Sequence, residues 1–321
     1  MNRIGIVIRE LESLKSIKSI KDLKMFFKVN ISKIFFVGGI FYGGLKAPPI
    51  IQIEPVNYCN LNCICCSVPR NSREKGCMNL NLFQKIIDEA SDLGTNKVYL
   101  YLHGEPFLHP QIVEMIRYIK SKHLEFDIAT NGMLLSKDKM EAILNSGVNC
   151  NDLIRFSILG YSKEVHEKIM KGVNHDKVLE NIFYFLKLRK NYRANGPKIE
   201  TFFYTISENE HEKKQFVKYW NGIVDRVGIS HLSKSFWEYK RREKTIPPRE
   251  KTCKILGSRL TIFWNGDVTI CCSDVDGDYI LGNLNEQSIR KIWKSKQLLS
   301  IKKLHKKKQF QKIPLCYRCD W

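Results

Sequence analysis

The chain has 321 residues, of which 43% are hydrophobic, so it is long enough to bury one large core and to carry a small appended module. Its 53 Lys and Arg residues against 33 Asp and Glu give a formal net charge of +20, which favours anionic partners such as phosphorylated or nucleotide-linked substrates. The 11 cysteines, without a recognisable secretory signal, favour reduced thiols in a cytoplasmic protein and argue against a disulfide framework.

The first segment, residues 1–49, is basic and has the pattern of amphipathic helices. Lysines at positions 28 and 33 interrupt any apolar run near the length of about 20 residues that a transmembrane helix needs. We therefore expect helices that either pack against the rest of the protein or touch a membrane surface through residues 1–44.

From residue 50 onward, short apolar runs alternate with longer segments of helical periodicity. The predicted strands are residues 50–55, 97–102, 125–129, 153–157, 198–205 and 226–229. The predicted helices are residues 80–93, 110–122, 137–146, 177–193 and 210–220. This alternation predicts a parallel sheet, open or closed into a barrel, with the active site at the carboxyl ends of the strands.

The most informative motif comes directly after the first predicted strand. Cys59, Cys63 and Cys66 form a C-x3-C-x2-C set. Three thiolates on one short loop can hold three irons of a 4Fe-4S cluster and leave the fourth iron open to a small molecule. A structural zinc site is the alternative, but such sites usually have two separated ligand pairs. Cys65, adjacent to Cys66, is a competing ligand.

Further candidate site residues lie at the ends of the next three predicted strands. A carboxylate at such a position can pair with an ammonium group, although an acid at a helix N-terminus is the alternative role. An Asn-Gly pair is also a turn signal. The residues concerned are Gly104, Glu105 and Pro106 after the second strand, Asn131 after the third and Ser157 at the end of the fourth.

The cysteine motif and these ordered segments resemble the radical S-adenosylmethionine (radical SAM) superfamily. The resemblance implies an α/β fold with a partial (β/α)6 TIM-like barrel over residues 50–235. It implies that SAM chelates the open iron of the cluster held by Cys59, Cys63 and Cys66. It also implies that the segment Gly104-Glu105-Pro106, similar to the family's GGEP motif, receives the SAM amino group, and that Asn131 and Ser157 approach the SAM ribose or carboxylate. His103 replaces the first glycine of that motif.

The remaining segment, residues 236–321, resembles the C-terminal SPASM module or its shorter twitch form. The similar elements are Gly266-x4-Cys271, a Gly-Asn-x pattern from residue 282 and a closing Cys316-x2-Cys319. The resemblance implies an auxiliary 4Fe-4S cluster, for which Cys253, Cys271, Cys316 and Cys319 are four available ligands. Cys272 is the alternative to Cys271, and a four-cysteine zinc site is the alternative to the cluster. No cysteine follows Cys319, so we expect the twitch form with one auxiliary cluster.

The resemblance implies reductive cleavage of SAM to a 5'-deoxyadenosyl radical, with a flavodoxin or ferredoxin as electron donor. We expect hydrogen abstraction from a small, sugar-like or anionic substrate and a dehydrogenation, in a cytoplasmic or membrane-associated enzyme. A maturase of ribosomally made peptides is the alternative reaction, and a non-catalytic electron carrier is the alternative of a different class. Nucleic acid is not an expected partner, since no RNA-binding signature accompanies the basic runs. The proton acceptor is open among Arg155, His166, Tyr204 and Asp225.

Overall fold

A computed structural model of the chain describes residue 45 and residues 47–192, 196–231 and 247–320. Most of the basic N-terminal segment, and with it the expected membrane contact through residues 1–44, lies outside the described residues. Within the described ranges, no helix is both long enough and apolar enough to cross a membrane.

Among the described residues, the first six strands lie side by side in the order in which they occur along the chain. They are β1 (Ile50–Ile53), β2 (Lys97–Leu100), β3 (Glu125–Thr130), β4 (Leu153–Ser157), β5 (Lys198–Thr205) and β6 (Arg226–His231). Each strand pairs in parallel with the next. The predicted α/β fold with a partial TIM-like barrel is confirmed.

Helices connect these strands and cover one face of the sheet. They are α1 (Leu80–Asp92), α2 (Ile112–Ser121), α3 (Lys137–Leu144), α4 (Lys163–Ile169), α5 (His175–Asn191) and α6 (Lys213–Trp220). Helix α4 was not predicted, because a helix of two turns carries too little periodicity to be recognised. Its start is nevertheless marked by Ser162, whose side chain caps the helix at Val165 N.

The two faces of the parallel sheet differ in character, because side chains alternate along each strand. On the outer face, Ile51, Val98, Phe126, Ile154 and Ile199 are fully buried against the helices. The inner face carries polar and aromatic side chains at the paired positions: Gln52, Tyr99, Asp127, Arg155, Glu200 and Phe202. The barrel interior is therefore equipped to hold a polar molecule.

The C-terminal part extends the same sheet. Its elements are α7 (Ile255–Ser258), β7 (Arg259–Ile262), β8 (Asp267–Thr269), β9 (Ile280–Asn283), α8 (Ile289–Trp293), α9 (Lys296–Lys306) and α10 (Pro314–Tyr317). Strand β7 pairs in parallel with β1, while β8 and β9 continue from it as antiparallel strands. Within the described ranges the result is one sheet of nine strands, with β1 between β2 and β7.

A buried aspartate joins β3, β4 and α2 at the amino end of the parallel strands, opposite the end that carries the cysteine loop. Asp152 is fully buried, and its Oδ1 accepts hydrogen bonds from Lys120 Nζ at 2.9 Å and from Phe126 N at 3.0 Å. Its Oδ2 accepts a bond from Asn149 N at 2.7 Å. The Lys120 side chain is only 7% exposed, so its charge has little access to water.

We expect Asp152→Ala to lower the free energy of unfolding by about 3 to 5 kcal/mol, because it leaves the ammonium group of Lys120 buried without its carboxylate partner. Urea unfolding followed by circular dichroism measures the change. Glu141→Ala, at an exposed position on α3, is the control and should stay within about 0.5 kcal/mol of the wild type. A loss at Asp152 no larger than that of the control would contradict the assignment.

Candidate functional site

The cysteine loop follows β1 at the carboxyl end of the sheet, as predicted. Cys59, Cys63 and Cys66 are partly exposed, whereas Cys65 is buried in the core. The loop is held by backbone hydrogen bonds to the end of α4 and the residues after it, from Ile64 N to Ile169 O and from Asn62 N to Lys171 O, both 2.9 Å.

The thiols of this loop disfavour one another's charge. Burial raises the pKa of Cys63 well above its usual range, and the neighbouring Cys66, Cys65 and Cys59 raise it further. Burial likewise raises the pKa of Cys59 to about 11 and that of Cys65 to about 12. A set of thiolates in such surroundings needs a cationic partner, and the irons of a cluster supply that charge.

Among the residues that the structure describes, no three His, Cys, Asp or Glu side chains are grouped closely enough to hold one metal ion.

Gly104 brings the end of β2 against the start of the cysteine loop. It has φ +113°, and a Cβ atom there would lie 2.4 Å from Val56 O and 2.8 Å from Tyr58 O. The next residue, Glu105, donates its N–H to Tyr58 O at 3.0 Å. Only glycine allows the backbone after β2 to come this close to residues 56–58. The contact therefore fixes the position of the chain just before Cys59.

Glu105 is buried and fully hydrogen-bonded within the chain. Its Oε1 accepts from Thr130 Oγ1 at 2.7 Å and Phe107 N at 3.2 Å, and its Oε2 accepts from Asn131 N at 2.8 Å. It caps the short 3-10 helix Pro106–Leu108, so the carboxylate ties the end of β2 to the end of β3. Burial raises the pKa of Glu105 to about 7 although these hydrogen bonds favour the charged form.

Asn131 connects β3 to the cysteine loop. Its Nδ2 donates to Asn60 Oδ1 at 2.9 Å and lies 3.8 Å from Cys59 Sγ. Its Oδ1 accepts from Met133 N at 2.9 Å, which closes the turn that Asn-Gly predicts. Ser157 lies partly exposed at the end of β4. The structure thus joins three of the predicted segments by direct contacts and places the fourth at the neighbouring strand end.

A buried charged network beside the loop was missed by the sequence reasoning. Glu54 is fully buried, and Arg73 donates to its two oxygens at 2.8 and 2.6 Å. His103 Nδ1 lies 3.1 Å from Glu54 Oε1. Burial raises the pKa of Glu54, but the hydrogen bonds from His103 and Arg73 outweigh this effect and the net pKa is lowered. A glutamate at the end of a buried strand was the available signal, since such a charge must be paired.

The C-terminal thiols form a second group. Burial raises the pKa of Cys316, and its neighbours Cys271, Cys253 and Cys319 raise it further. Cys319 N donates to Cys316 O at 3.2 Å, so the closing C-x2-C is a turn. The N–H of Ser273 donates to Cys271 Sγ at 3.3 Å, which favours a charged Cys271, whereas the hydrogen bond between the two adjacent thiols raises the pKa of Cys271 and lowers that of Cys272. Cys272 interacts electrostatically with Cys253 and Cys319 and stays the alternative.

The four residues considered as proton acceptors fall in different places. Arg155 and Tyr204 belong to the inner face of the barrel. His166 is buried with its Nδ1 2.9 Å from His175 Nδ1, under the loop that follows β4. Asp225 precedes β6 and accepts from Ile199 N, so it lies at the amino end of the strands, away from the cysteine loop.

Comparison with models of known protein families identifies the family of this chain. The model of the radical SAM superfamily matches residues 53–230, more than half of the chain. The chain belongs to the radical SAM superfamily. The SPASM model, an iron-sulfur cluster-binding domain, matches residues 253–320. The cofactors of this radical SAM protein are therefore SAM and 4Fe-4S clusters.

Curated relatives are similar over part of their length. The chain is 29% identical over 188 residues to the tungsten-containing aldehyde ferredoxin oxidoreductase cofactor-modifying protein of Pyrococcus furiosus, a match that covers 57% of this chain and 51% of that protein. It is 26% identical over 212 residues to the PqqA peptide cyclase of Gluconobacter oxydans, which covers 64% of this chain and 56% of that protein. The chain thus spans about half the length of these relatives.

Solved radical SAM structures share the fold. Streptococcus suis SuiB bound to S-adenosylmethionine has a TM-score of 0.66 at 17% identity and covers 94% of this chain and 78% of its own. BtrN in complex with AdoMet and 2-DOIA has a TM-score of 0.57 at 18% identity and covers 85% of this chain and 93% of its own. At these identities the likeness shows the fold.

We expect Gly104→Ala to reduce the iron bound after anaerobic reconstitution and to destabilise the chain by about 3 kcal/mol or more, because the new Cβ strains φ and meets two carbonyl oxygens. Gly222→Ala is the matched control. Gly222 also has a positive φ, +84°, but none of the described atoms lies within 4 Å of its added Cβ. The Gly222→Ala variant should lose only about 1 to 2 kcal/mol of its free energy of unfolding and should bind as much iron as the wild type. Equal iron contents in the two variants would contradict the role of Gly104.

Glu105 should make stability fall as the pH rises. Its folded pKa of about 7 lies above the ordinary 4.5, so the native state holds a proton that the unfolded chain releases between these values. Glutamine at this position cannot titrate. As the pH rises from about 4 to about 8, we therefore expect the free energy of unfolding of Glu105→Gln to increase by on the order of 3 kcal/mol relative to that of the wild type. Urea unfolding of both proteins across this range tests this, and parallel profiles would show that the carboxyl does not titrate as stated.

Proposed function

We propose that this radical SAM enzyme dehydrogenates a small polar substrate held on the inner face of the barrel, and that one auxiliary cluster accepts the remaining electron. The observation that carries the proposal is the polar lining of that face, with a charged guanidinium at its centre. A flavodoxin- or ferredoxin-type donor would reduce the cluster that binds SAM.

The cofactor sites in this proposal are the predicted ones. Cys59, Cys63 and Cys66 would hold the cluster with the open iron in the barrel unit, residues 50–235. Cys253, Cys271, Cys316 and Cys319 would hold the auxiliary cluster in the module of residues 236–321. The meeting of the three strand-end segments beside Cys59 supports a SAM site lined by Gly104, Glu105, Pro106, Asn131 and Ser157.

Arg155 is the group on the inner face best suited to anchor a substrate. Burial lowers its pKa, but Tyr101 and Glu200 raise it by more, so the guanidinium stays charged. Its Nε donates to Glu200 and its Nη1 lies 3.5 Å from Tyr101 Oη, with the ring of Phe202 4.7 Å away. Among the described residues its other N–H groups have no hydrogen-bond partner, so they can bind a hydroxyl or an anionic group.

SAM and the reduced cluster would supply the abstraction of a hydrogen atom from a substrate carbon. The chain's task is to orient that carbon, to exclude water and to receive a proton from the substrate hydroxyl. Arg155 would fix the orientation, because Glu200 holds one edge of the guanidinium and the flanking Phe202 ring limits its movement. Tyr204, also on the inner face, stays protonated because burial raises its pKa, so it can hydrogen-bond the substrate hydroxyl but is not the proton acceptor.

Peptide maturation is the second candidate function. Curated relatives include PqqA peptide cyclase and the subtilosin biosynthesis protein AlbA, and SuiB bound to its precursor peptide SuiA matches this fold with a TM-score of 0.65. These are properties of the relatives. The charged inner face around Arg155 supports a small-molecule substrate instead.

The test is anaerobic incubation of the reconstituted full chain with SAM and dithionite, with or without a probe. The probes are a panel of aminocyclitols and nucleotide-linked sugars, and a set of short peptides. We expect the small molecules to increase the release of 5'-deoxyadenosine and to yield a product that lacks two hydrogens by mass spectrometry. Stimulation by peptides alone would favour maturation, and no release under any condition would favour a non-catalytic carrier.

With a stimulating small molecule, Arg155→Gln should lower the stimulated rate about 10- to 100-fold, because a charged hydrogen bond to the substrate is lost. The iron content and the release without substrate are measured alongside, to correct for cluster loading. Arg117→Gln, at an exposed surface pair on α2, is the matched control and should retain the wild-type rate. An unchanged rate in Arg155→Gln would remove Arg155 from substrate binding.

A further inference from the structure

A buried hydrogen-bonded network lies between the two cysteine groups. Its central residue is His103, which follows β2 and is 1% exposed. The ring Nε2 of His103 lies 3.1 Å from the carbonyl oxygen of Cys272. The ring Nδ1 lies 3.1 Å from Glu54 Oε1 and 3.2 Å from Arg73 Nη2. One side chain thus touches both the barrel and the turn that carries the auxiliary thiols.

The chemistry of the partners fixes the role of Nε2. A backbone carbonyl oxygen can only accept a hydrogen bond, so Nε2 must carry a hydrogen and donate it to Cys272 O. Nδ1 can then accept from Arg73 or donate to Glu54. In both protonation states the donor that faces Cys272 is the same.

The rest of the network reinforces this link. Arg73 Nε donates to Val275 O at 2.8 Å, and its guanidinium lies 3.8 Å from the centre of the Phe263 ring. Glu54 Oε2 accepts from Trp264 N at 3.2 Å. Three barrel side chains therefore hold the segment from β7 to the turn after Cys272.

We propose that His103 is a positioning residue that fixes the Cys271–Cys272 turn against the SAM-binding end of β2, and so sets the hydrogen-bonding environment of the auxiliary cluster. Glycine, the residue of the GGEP motif at this position, has no side-chain donor that could make this contact. The inference concerns contacts within the chain, so it stands or fails independently of which substrate is oxidised.

Two substitutions separate the two ends of the imidazole. His103→Gln places an amide N–H about as far from the backbone as Nε2, so it retains a donor for Cys272 O. His103→Asn reaches only the position of Nδ1 and loses that donor. The measurements use the reconstituted full chain: amide hydrogen exchange in residues 271–279, and the reduction potential of the auxiliary cluster by redox titration with electron paramagnetic resonance.

In His103→Asn we expect exchange in the turn to speed up about tenfold or more, because a buried carbonyl loses its donor. The potential of the auxiliary cluster should become more negative, since an N–H dipole directed at the turn no longer stabilises the reduced, more negative cluster. His103→Gln should resemble the wild type in both measurements.

His109→Asn is the matched control. His109 is also buried and also follows β2, but its Nε2 hydrogen-bonds Met78 O at 2.8 Å within the barrel. This variant should leave amide exchange in residues 271–279 and the reduction potential of the auxiliary cluster unchanged, even if it lowers the stability of the fold. Wild-type exchange and potential in His103→Asn, or equal changes in His103→Gln or His109→Asn, would overturn the proposal.

Discussion

The position of β1 between β2 and β7 is the constraint on which the site depends. Parallel pairing on both sides makes β1 an interior strand, so the loop that leaves its carboxyl end lies where the barrel and the C-terminal module meet. Glu54, the first residue after β1, is consequently buried and in contact with both parts. The cysteine loop that begins at Cys59 is therefore placed by the sheet as much as by its own sequence.

Burial of the thiols has a consequence for assembly. Burial raises the pKa of Cys63 in the first cysteine group and of Cys316 in the second, so their thiolates become favourable only when iron supplies positive charge. Cluster binding is thus coupled to the final packing of the cysteine loop and of the closing turn. The hydrogen bonds from Leu61 N to Cys59 Sγ and from Ser273 N to Cys271 Sγ show that each group already has a backbone donor in place.

The sheet separates stability from chemistry. Its outer face is apolar and packs against the helices, so substitutions there act on folding. Its inner face carries Arg155 and Glu200 on neighbouring strands, where their mutual pairing lowers the cost of burying charge. The ring of Phe202 lies 4.7 Å from the Arg155 guanidinium, so the paired group is held in place on the face where we propose that the substrate binds.

The sequence by itself determined the family, the alternation of strands and helices, and the two sets of cysteines, because each is recognised from short motifs and periodicities and from their order along the chain. Only the tertiary structure decided that β7 joins β1, that Glu105 ties the end of β2 to the end of β3, and that His103 contacts the carbonyl oxygen of Cys272. These contacts join residues that are far apart in the chain. No local pattern encodes them, because which buried polar groups satisfy each other depends on the packing of the whole sheet.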